Sequence, residues 1–282
     1  MKKIGLFIVL GSFVLSSYSA QSLQRIARAS RLAAFTLENT RGPKGSPLYP
    51  NQDRCFFKKL PSGQLVAGVF DGHGKHGDFV SQFLQAKALE NFSKSFLAPA
   101  EITQFYSNVN QELKHLPFAH KSGSTACIAL LDNKTLTVSH VGDSRLLVMN
   151  NLNILFTTQD HKPSLLRELK AIEKAGGLVK QGRVINPGHN ASLAISRSLG
   201  DCAFGPVISR KPEISQITLE AGALIVMATD GLFDVMGNQQ VAKFISQELS
   251  YGNDLKNIAQ SVAQEARALG SDDDITVQLI QL

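Results

Sequence analysis

Three short apolar runs of this chain break off on an acidic residue beside a glycine, and three acids in a row open a fourth. Leu65–Phe70 runs into Asp71-Gly72, and Thr135–Val141 runs into Gly142-Asp143. Ala223–Ala228 reaches Asp230-Gly231 through Thr229, and Asp272-Asp273-Asp274 leads into Ile275–Leu282. Short runs of this kind read as strands. Bare carboxylates are not tolerated inside a sheet stack. The strands of one sandwich can, however, present their acid-bearing ends at a common rim.

Thr125–Leu131 and Leu146–Met149 are further strand candidates, and Asp132-Asn133-Lys134 reads as a hairpin turn between two of the runs. Helical spacing places Phe79, Val80, Phe83 and Leu84 on one face. The same holds for Ile102, Phe105, Val109 and Leu113; for Leu165, Leu166, Leu169 and Ile172, stopped by Gly176-Gly177; for Val241, Phe244, Ile245 and Leu249; and for Leu255, Ile258, Val262, Ala266 and Leu269. Strands and helices do not alternate strictly, so the pattern predicts an α+β layer fold with antiparallel sheets covered by helices.

A hydrophobic share of 43% against 18% charged residues excludes a disordered chain or a coiled coil. Cys55, Cys127 and Cys202 are too few and too scattered for a disulfide framework and read as small apolar core residues. The net charge of +6 is unevenly spread. Residues 1–60 hold 10 Lys and Arg against 2 acids, whereas residues 61–282 hold 19 against 21. The body is close to neutral and carries no basic stripe interleaved with aromatics, so nucleic-acid binding is not expected. Met1-Lys2-Lys3, the apolar run Ile4–Leu15 and the small residues up to Ala20 follow the order of a secretory signal peptide. The Arg- and Ser-rich, acid-free stretch that follows also suits an organelle transit peptide, and an uncleaved cytosolic chain is a third reading. The apolar run is short of the ~20 residues of a membrane span, so no transmembrane segment is expected in the mature chain. The organisation expected is a targeting segment over 1–20, a basic N-terminal segment over 21–47 and a catalytic domain over 48–282.

Carboxylates brought together raise one another's pKa or require a cation. Oxygen ligands flanked by glycine favour hard ions such as Mg²⁺ or Mn²⁺. Three or four of them balance two divalent ions, and a pair of ions about 3.5–4 Å apart suits hydrolysis of a phosphate ester. His73-Gly74-Lys75-His76 has no cysteine nearby and reads as a loop rather than a zinc pair. His115, His120, His140, His161 and His189 read as surface or hydrogen-bonded loop residues.

Taken in order, these segments resemble the metal-dependent serine/threonine protein phosphatases of type 2C. The matching stretches are Val69–Gly74, Ser122–Ala126, Val141–Arg145, Asp160–Pro163, Ala175–Gly177, Leu193–Asp201, Lys211–Ile214, Ala228–Val235 and Asp273–Val277. The resemblance runs from about residue 50 to the C-terminus. It implies a central sandwich of two antiparallel β-sheets flanked by helices, a four-layer αββα fold. It also implies hydrolysis of phosphoserine and phosphothreonine in phosphoproteins by a metal-activated water, with two or three Mg²⁺ or Mn²⁺ ions per subunit. Asp71 would bridge two ions, Asp230 and Asp273 would complete the shell of one, and the Gly72 carbonyl would bind the other. Asp143 with Asp230 matches the acids of a weaker third ion. Asp234 would orient water, and His73 would be the general acid toward the leaving oxygen.

The departures lie at the N-terminal edge. Gln52 stands where a metal-touching Glu is usual, leaving Asp53 to supply charge. The Arg that often binds substrate phosphate has no counterpart in register, since Leu48 is near that place; Arg41 or Lys44 could substitute. A pseudophosphatase that binds phosphoproteins without turnover is the competing reading. A structural Ca²⁺ module lacks the EF-hand pattern. No oligomerisation signal is seen, so a monomer is expected.

Overall fold

The strand Leu65–His73 is buried at each of its first six positions, a pattern that a sheet with one wet face cannot show. Both its faces must be covered, and the rest of the chain supplies the two coverings. A computed structural model describes residues 31–40, 50–92, 98–188 and 191–282. In chain order the strands are β1 Arg31–Leu37, β2 Asp53–Lys59, β3 Leu65–His73, β4 Gly123–Ser124, β5 Ala126–Asp132, β6 Thr135–Val141, β7 Arg145–Asn150 and β8 Asn153–Thr157. They continue with β9 Leu178–Lys180, β10 Arg183–Ile185, β11 Ser192–Leu193, β12 Leu199–Gly200, β13 Glu213–Thr218, β14 Leu224–Ala228 and β15 Ile275–Gln281. The helices are α1 Gly77–Phe92, α2 Pro99–Leu113, α3 Leu166–Lys174, α4 Asp230–Phe233, α5 Asn238–Ser250 and α6 Leu255–Ala268.

Two large antiparallel sheets form the centre. One runs β1-β15-β14-β7-β8; the other runs β12-β4-β3-β5-β6-β13, with β2 paired to β3. Side chains alternate along each strand between the two faces. Leu65, Ala67 and Val69 of β3 meet Leu146, Val148, Ile225 and Met227 of the other sheet between the layers. Val66 and Phe70 point the other way, onto Val80 and Leu84 of α1 and Phe105 and Val109 of α2. On the far side Leu147, Val226 and Val277 pack on Val241 and Ile245 of α5 and Ile258 and Val262 of α6. Four layers result. A separate three-stranded sheet, β11-β10-β9, packs with α3 around Val184, Ile172 and Phe204.

The expected turn is present: β5 and β6 are joined by Asn133, at φ 53°, and Lys134. Other expectations change. β1 lies within the stretch 21–47 set apart above, yet it pairs with β15 along its whole length and buries Ala33. Exposed and covered positions alternate along it, as on an edge strand, and the arginines at every third position up to its start disguise it. Phe79 is not on the buried face of α1; it is 52% exposed, while Val80, Leu84, Ala88 and Phe92 are buried. In α3, Leu166 faces solvent and Glu168 is buried instead, held by Arg197 at 2.5 Å. The targeting segment, Arg41, Lys44, Leu48 and His189 lie outside the described residues. Among the described residues no helix is long and apolar enough to cross a membrane.

Candidate active site

β3 carries Asp71 and Gly72 at its C-terminal end. Asp143 lies between β6 and β7, Asp230 follows β14, Asp273 precedes β15 and Asp53 opens β2. The antiparallel registers put all these ends on one rim: Asp53 is opposite Asp71, Gly72 opposite Ser124, and Ala228 opposite both Arg145 and Val277. Two backbone approaches hold the rim together. A Cβ on Gly72 would collide with the Gly77 carbonyl, and one on Gly231 with the Asp274 carbonyl. Neither glycine has positive φ. They are required for close approach rather than for tight turning.

The carboxyls of Asp71 and Asp230 act on each other. Burial, then Asp230, Asp53, Asp273 and Asp143, pushes the Asp71 pKa well above the carboxylate range. Burial, then Asp143, Asp234 and Asp273, does the same to Asp230. Asp53 is pushed up to about 7 by burial first, with Asp274 and Asp273 adding to it, although Thr229 Oγ1 donates to it at 2.8 Å. Asp143 is raised chiefly by burial, against the opposing pull of Lys162, whose ammonium sits on its Oδ2. Lys162 also lies 4.0 Å from Asp234, which is largely exposed. Among the described residues these acids outnumber the ammonium of Lys162 beside them, and the donor set is all oxygen. That chemistry fits a hard divalent ion.

Two neighbours in the acid run divide the labour. Asp274 is buried and accepts from the Asn39 amide at 2.8 Å and the Gln52 amide at 2.9 Å, so it braces the loops. Asp273 acts electrostatically on Asp71, Asp230 and Asp53. The Gln52 side chain donates from Nε2 to the Gly74 carbonyl at 2.8 Å.

His73 Nε2 lies 2.6 Å from Asp201 Oδ2. Burial disfavours the imidazolium, but Asp201, with Asp143 and Asp230 behind it, outweighs that and raises the His73 pKa. Asp201 is 1% exposed and held in the left-handed region at φ 46°. Its Oδ2 also accepts from Ser198 Oγ at 2.6 Å, and its carbonyl accepts from Arg210 at 2.8 Å. A strained non-glycine backbone fixed by surrounding contacts is a frequent mark of a functional site. Neither Asp201 nor Lys162 was singled out as a site residue from sequence. Both lie in the matched stretches, but their partners are distant in the chain and nothing local signals the pairing.

A second group is of metal-binding size. His140, His161 and Glu213 offer ligand atoms within 4.8 Å of one another. The two histidines are buried and their rings stack at 4.5 Å; His161 is a hydrogen-bonded loop residue, one of the two roles expected, whereas His140 lies on β6. His161 Nδ1 accepts from the Gly142 amide at 3.1 Å, so its neutral ring carries hydrogen on Nε2, facing Glu213 at 3.5 Å. His140 donates from Nε2 to the Gln159 carbonyl at 3.0 Å. With its Nε2 protonated, His161 is a poor ligand, and the group reads as two neutral stacked rings beside a carboxylate. Cys127 is buried between the sheets, where burial raises its thiol pKa, so it is not a nucleophile.

Residues 57–275 match the family model described as Protein phosphatase 2C. Protein phosphatase 1A of Bos taurus is 37% identical over 254 residues, covering 78% of this chain and 64% of that protein. Probable protein phosphatase 1N of Mus musculus is 28% identical over 287 residues, covering 96% of this chain and 70% of that protein. The chain spans between about a third and 70% of the length of the curated relatives first matched. Among solved structures, a C. elegans sex determining protein aligns with a TM-score of 0.73 at 25% identity, over 89% of this chain and 64% of that one. The S. agalactiae serine/threonine phosphatase shares the fold with a TM-score of 0.69 at 24% identity, over 90% of this chain and 99% of that one. With its matched motifs lying on a four-layer sandwich whose acids meet at one rim, the chain belongs to the protein phosphatase 2C family.

Proposed function

We propose that the chain is a metal-dependent protein serine/threonine phosphatase that hydrolyses phosphoserine and phosphothreonine. The observation that carries this reading is the gathering of the carboxylates of Asp53, Asp71, Asp143 and Asp230 at one rim, with Asp273 acting on them from the start of β15. Asp71, the Gly72 carbonyl, Asp230 and Asp273 would hold two ions, Asp143 with Asp230 would hold a weaker third, and Asp53 would add charge in place of the neutral Gln52. Bound there, Mg²⁺ or Mn²⁺ neutralises phosphate charge and supplies a water of lowered pKa. Asp234, exposed and 4.0 Å from Lys162, would orient water at that site. His73 gives its proton to the departing seryl or threonyl oxygen, a contribution of about 10²–10⁴-fold. Asp201 is a positioning residue: it holds the His73 ring and favours its charged, donating form. Arg41 remains a proposed phosphate contact.

Retention of Asp71, His73, Asp143, Asp230 and Asp273 argues against a pseudophosphatase, for which Gln52 and the unmatched Arg speak more weakly. The test is release of phosphate from a phosphothreonine peptide. Activity should vanish in EDTA, return with Mn²⁺ or Mg²⁺, and be absent in Asp230→Ala at any metal concentration. Turnover that survives metal stripping, or an Asp230→Ala protein as active as wild type, refutes the mechanism.

A further inference from the structure

A positively charged shoulder lies beside His73. The loop Gly74–His76 packs against the segment before β4: the His76 amide donates to Ser122 Oγ at 3.0 Å, and Gly74 lies against the Lys121 carbonyl. From there the His76 ring leans on Phe79 (6.0 Å between centroids), and Phe79 on Phe118 (5.8 Å). Next to them Lys114, His115, Leu116, Pro117, His120 and Cys202 line an open groove of about 400 Å³. Residues 73–77 and 114–124 contain three lysines and four of the seven histidines of the chain, and no acid. Lys75, Lys114, His115, His120 and Lys121 are exposed, and the bordering acids are Glu112 and half-buried Asp78, the former paired with Lys87 at 2.5 Å. Phe79 leaves half its surface in water on a helix whose other apolar face is buried.

This placement is at odds with a merely solvated surface. The body of the protein is slightly acidic overall, and its cleft is strongly so. A cationic shoulder on such a body attracts the negative charge of a phosphorylated, acid-flanked chain. The expected phosphate-binding Arg has no counterpart in register, so substrate binding must draw on other cations.

We propose that this shoulder docks the substrate chain, taking acidic residues that flank the phosphorylated residue on Lys75, Lys114 and Lys121, and an apolar side chain against Phe79 and Phe118. The proposal rests on the phosphatase reading above and specifies its substrates as acidic phosphoprotein segments.

The test compares three phosphothreonine peptides, flanked by Asp/Glu with one Leu, by Ala, or by Lys, on the Mn²⁺-loaded full chain. Wild type should prefer the acidic peptide, and raising ionic strength should weaken the preference because exposed charges are screened within about 8–10 Å. Lys75→Glu combined with Lys121→Glu should raise KM for the acidic peptide about tenfold while leaving kcat in place, as expected for rim charges. Lys75→Gln with Lys121→Gln should give a smaller rise, and Phe79→Ser should raise KM only for the peptide carrying Leu. p-Nitrophenyl phosphate, which has no flanking chain, should be hydrolysed equally by all variants; this also reports their folding. Equal KM for the three peptides in wild type, or charge reversal without effect on KM, overturns the docking surface while leaving the phosphatase reading intact. No hydrolysis of p-nitrophenyl phosphate or of any peptide by wild type overturns both.

Discussion

His161 is fully buried, and its ring is kept neutral by where it sits. Burial first, then His140, Arg197 and Arg167, lowers its pKa to about 2, and burial lowers that of His140 as well. In the unfolded chain a histidine titrates near 6.5, so below that pH the unfolded state binds more protons than the folded one. The stability these rings contribute is present above pH 6.5 and is lost as pH falls. The acids of the rim act in the opposite sense in metal-free protein, because their raised pKa values favour the protonated folded form at low pH. The informative quantity is therefore a difference: urea midpoints at pH 7.5 and 5.0 for wild type and for His161→Gln. Wild type should lose more stability on acidification than the variant; equal losses would show that the ring is not held neutral. Sequence showed this scale unevenly. Asp71, Asp143, Asp230 and Asp273 were legible because a charge at the end of an apolar run has few structural uses. Asp201 and Lys162 were not, since a carboxylate or an ammonium acquires its role only from the partner that tertiary packing supplies. Phe79 was misplaced because helical spacing alone cannot say which edge of an apolar stripe is covered.

Among the elements, the central strands announced themselves and the edges did not. β3, β5 and β14 are apolar nearly throughout because both faces are covered, and such runs stand out in any sequence. β1, β2, β8 and β13 alternate or carry charge, since one face of each meets water, and they escaped notice. The junctions between elements are the tightest part of the fold. Gly72 of β3 meets the Gly77 backbone at the start of α1, and the obstructing atoms are main chain, which cannot rotate away. Gly72→Ala must separate β3 from α1, and overpacking of this kind costs about 1–3 kcal/mol. Thermal melts in EDTA should show a transition several degrees lower, with the affinity for Mn²⁺ reduced as well because the same displacement shifts the Gly72 carbonyl. An unchanged melt would mean that the junction is looser than described.

At the scale of the whole molecule, the sandwich explains why distant acids converge. Seven segments, from residue 53 to residue 275, end at the same rim because antiparallel pairing brings alternate strand ends to one side. Helix-covered antiparallel sheets were predictable from buried strands, amphipathic helices and the absence of strict alternation, whereas the four-layer order was implied by the family resemblance. The small sheet β9–β11 was not, because strands of two or three residues carry no periodic signal. The account stands on the rim being a cage for paired cations. Crystals grown with Mn²⁺ and measured at the manganese absorption edge test that directly. Two anomalous peaks about 3.5–4 Å apart, within ligand distance of the carboxylates of Asp71 and Asp230, are the predicted result. A rim without peaks at saturating Mn²⁺, or manganese bound instead at His140, His161 and Glu213, would contradict it.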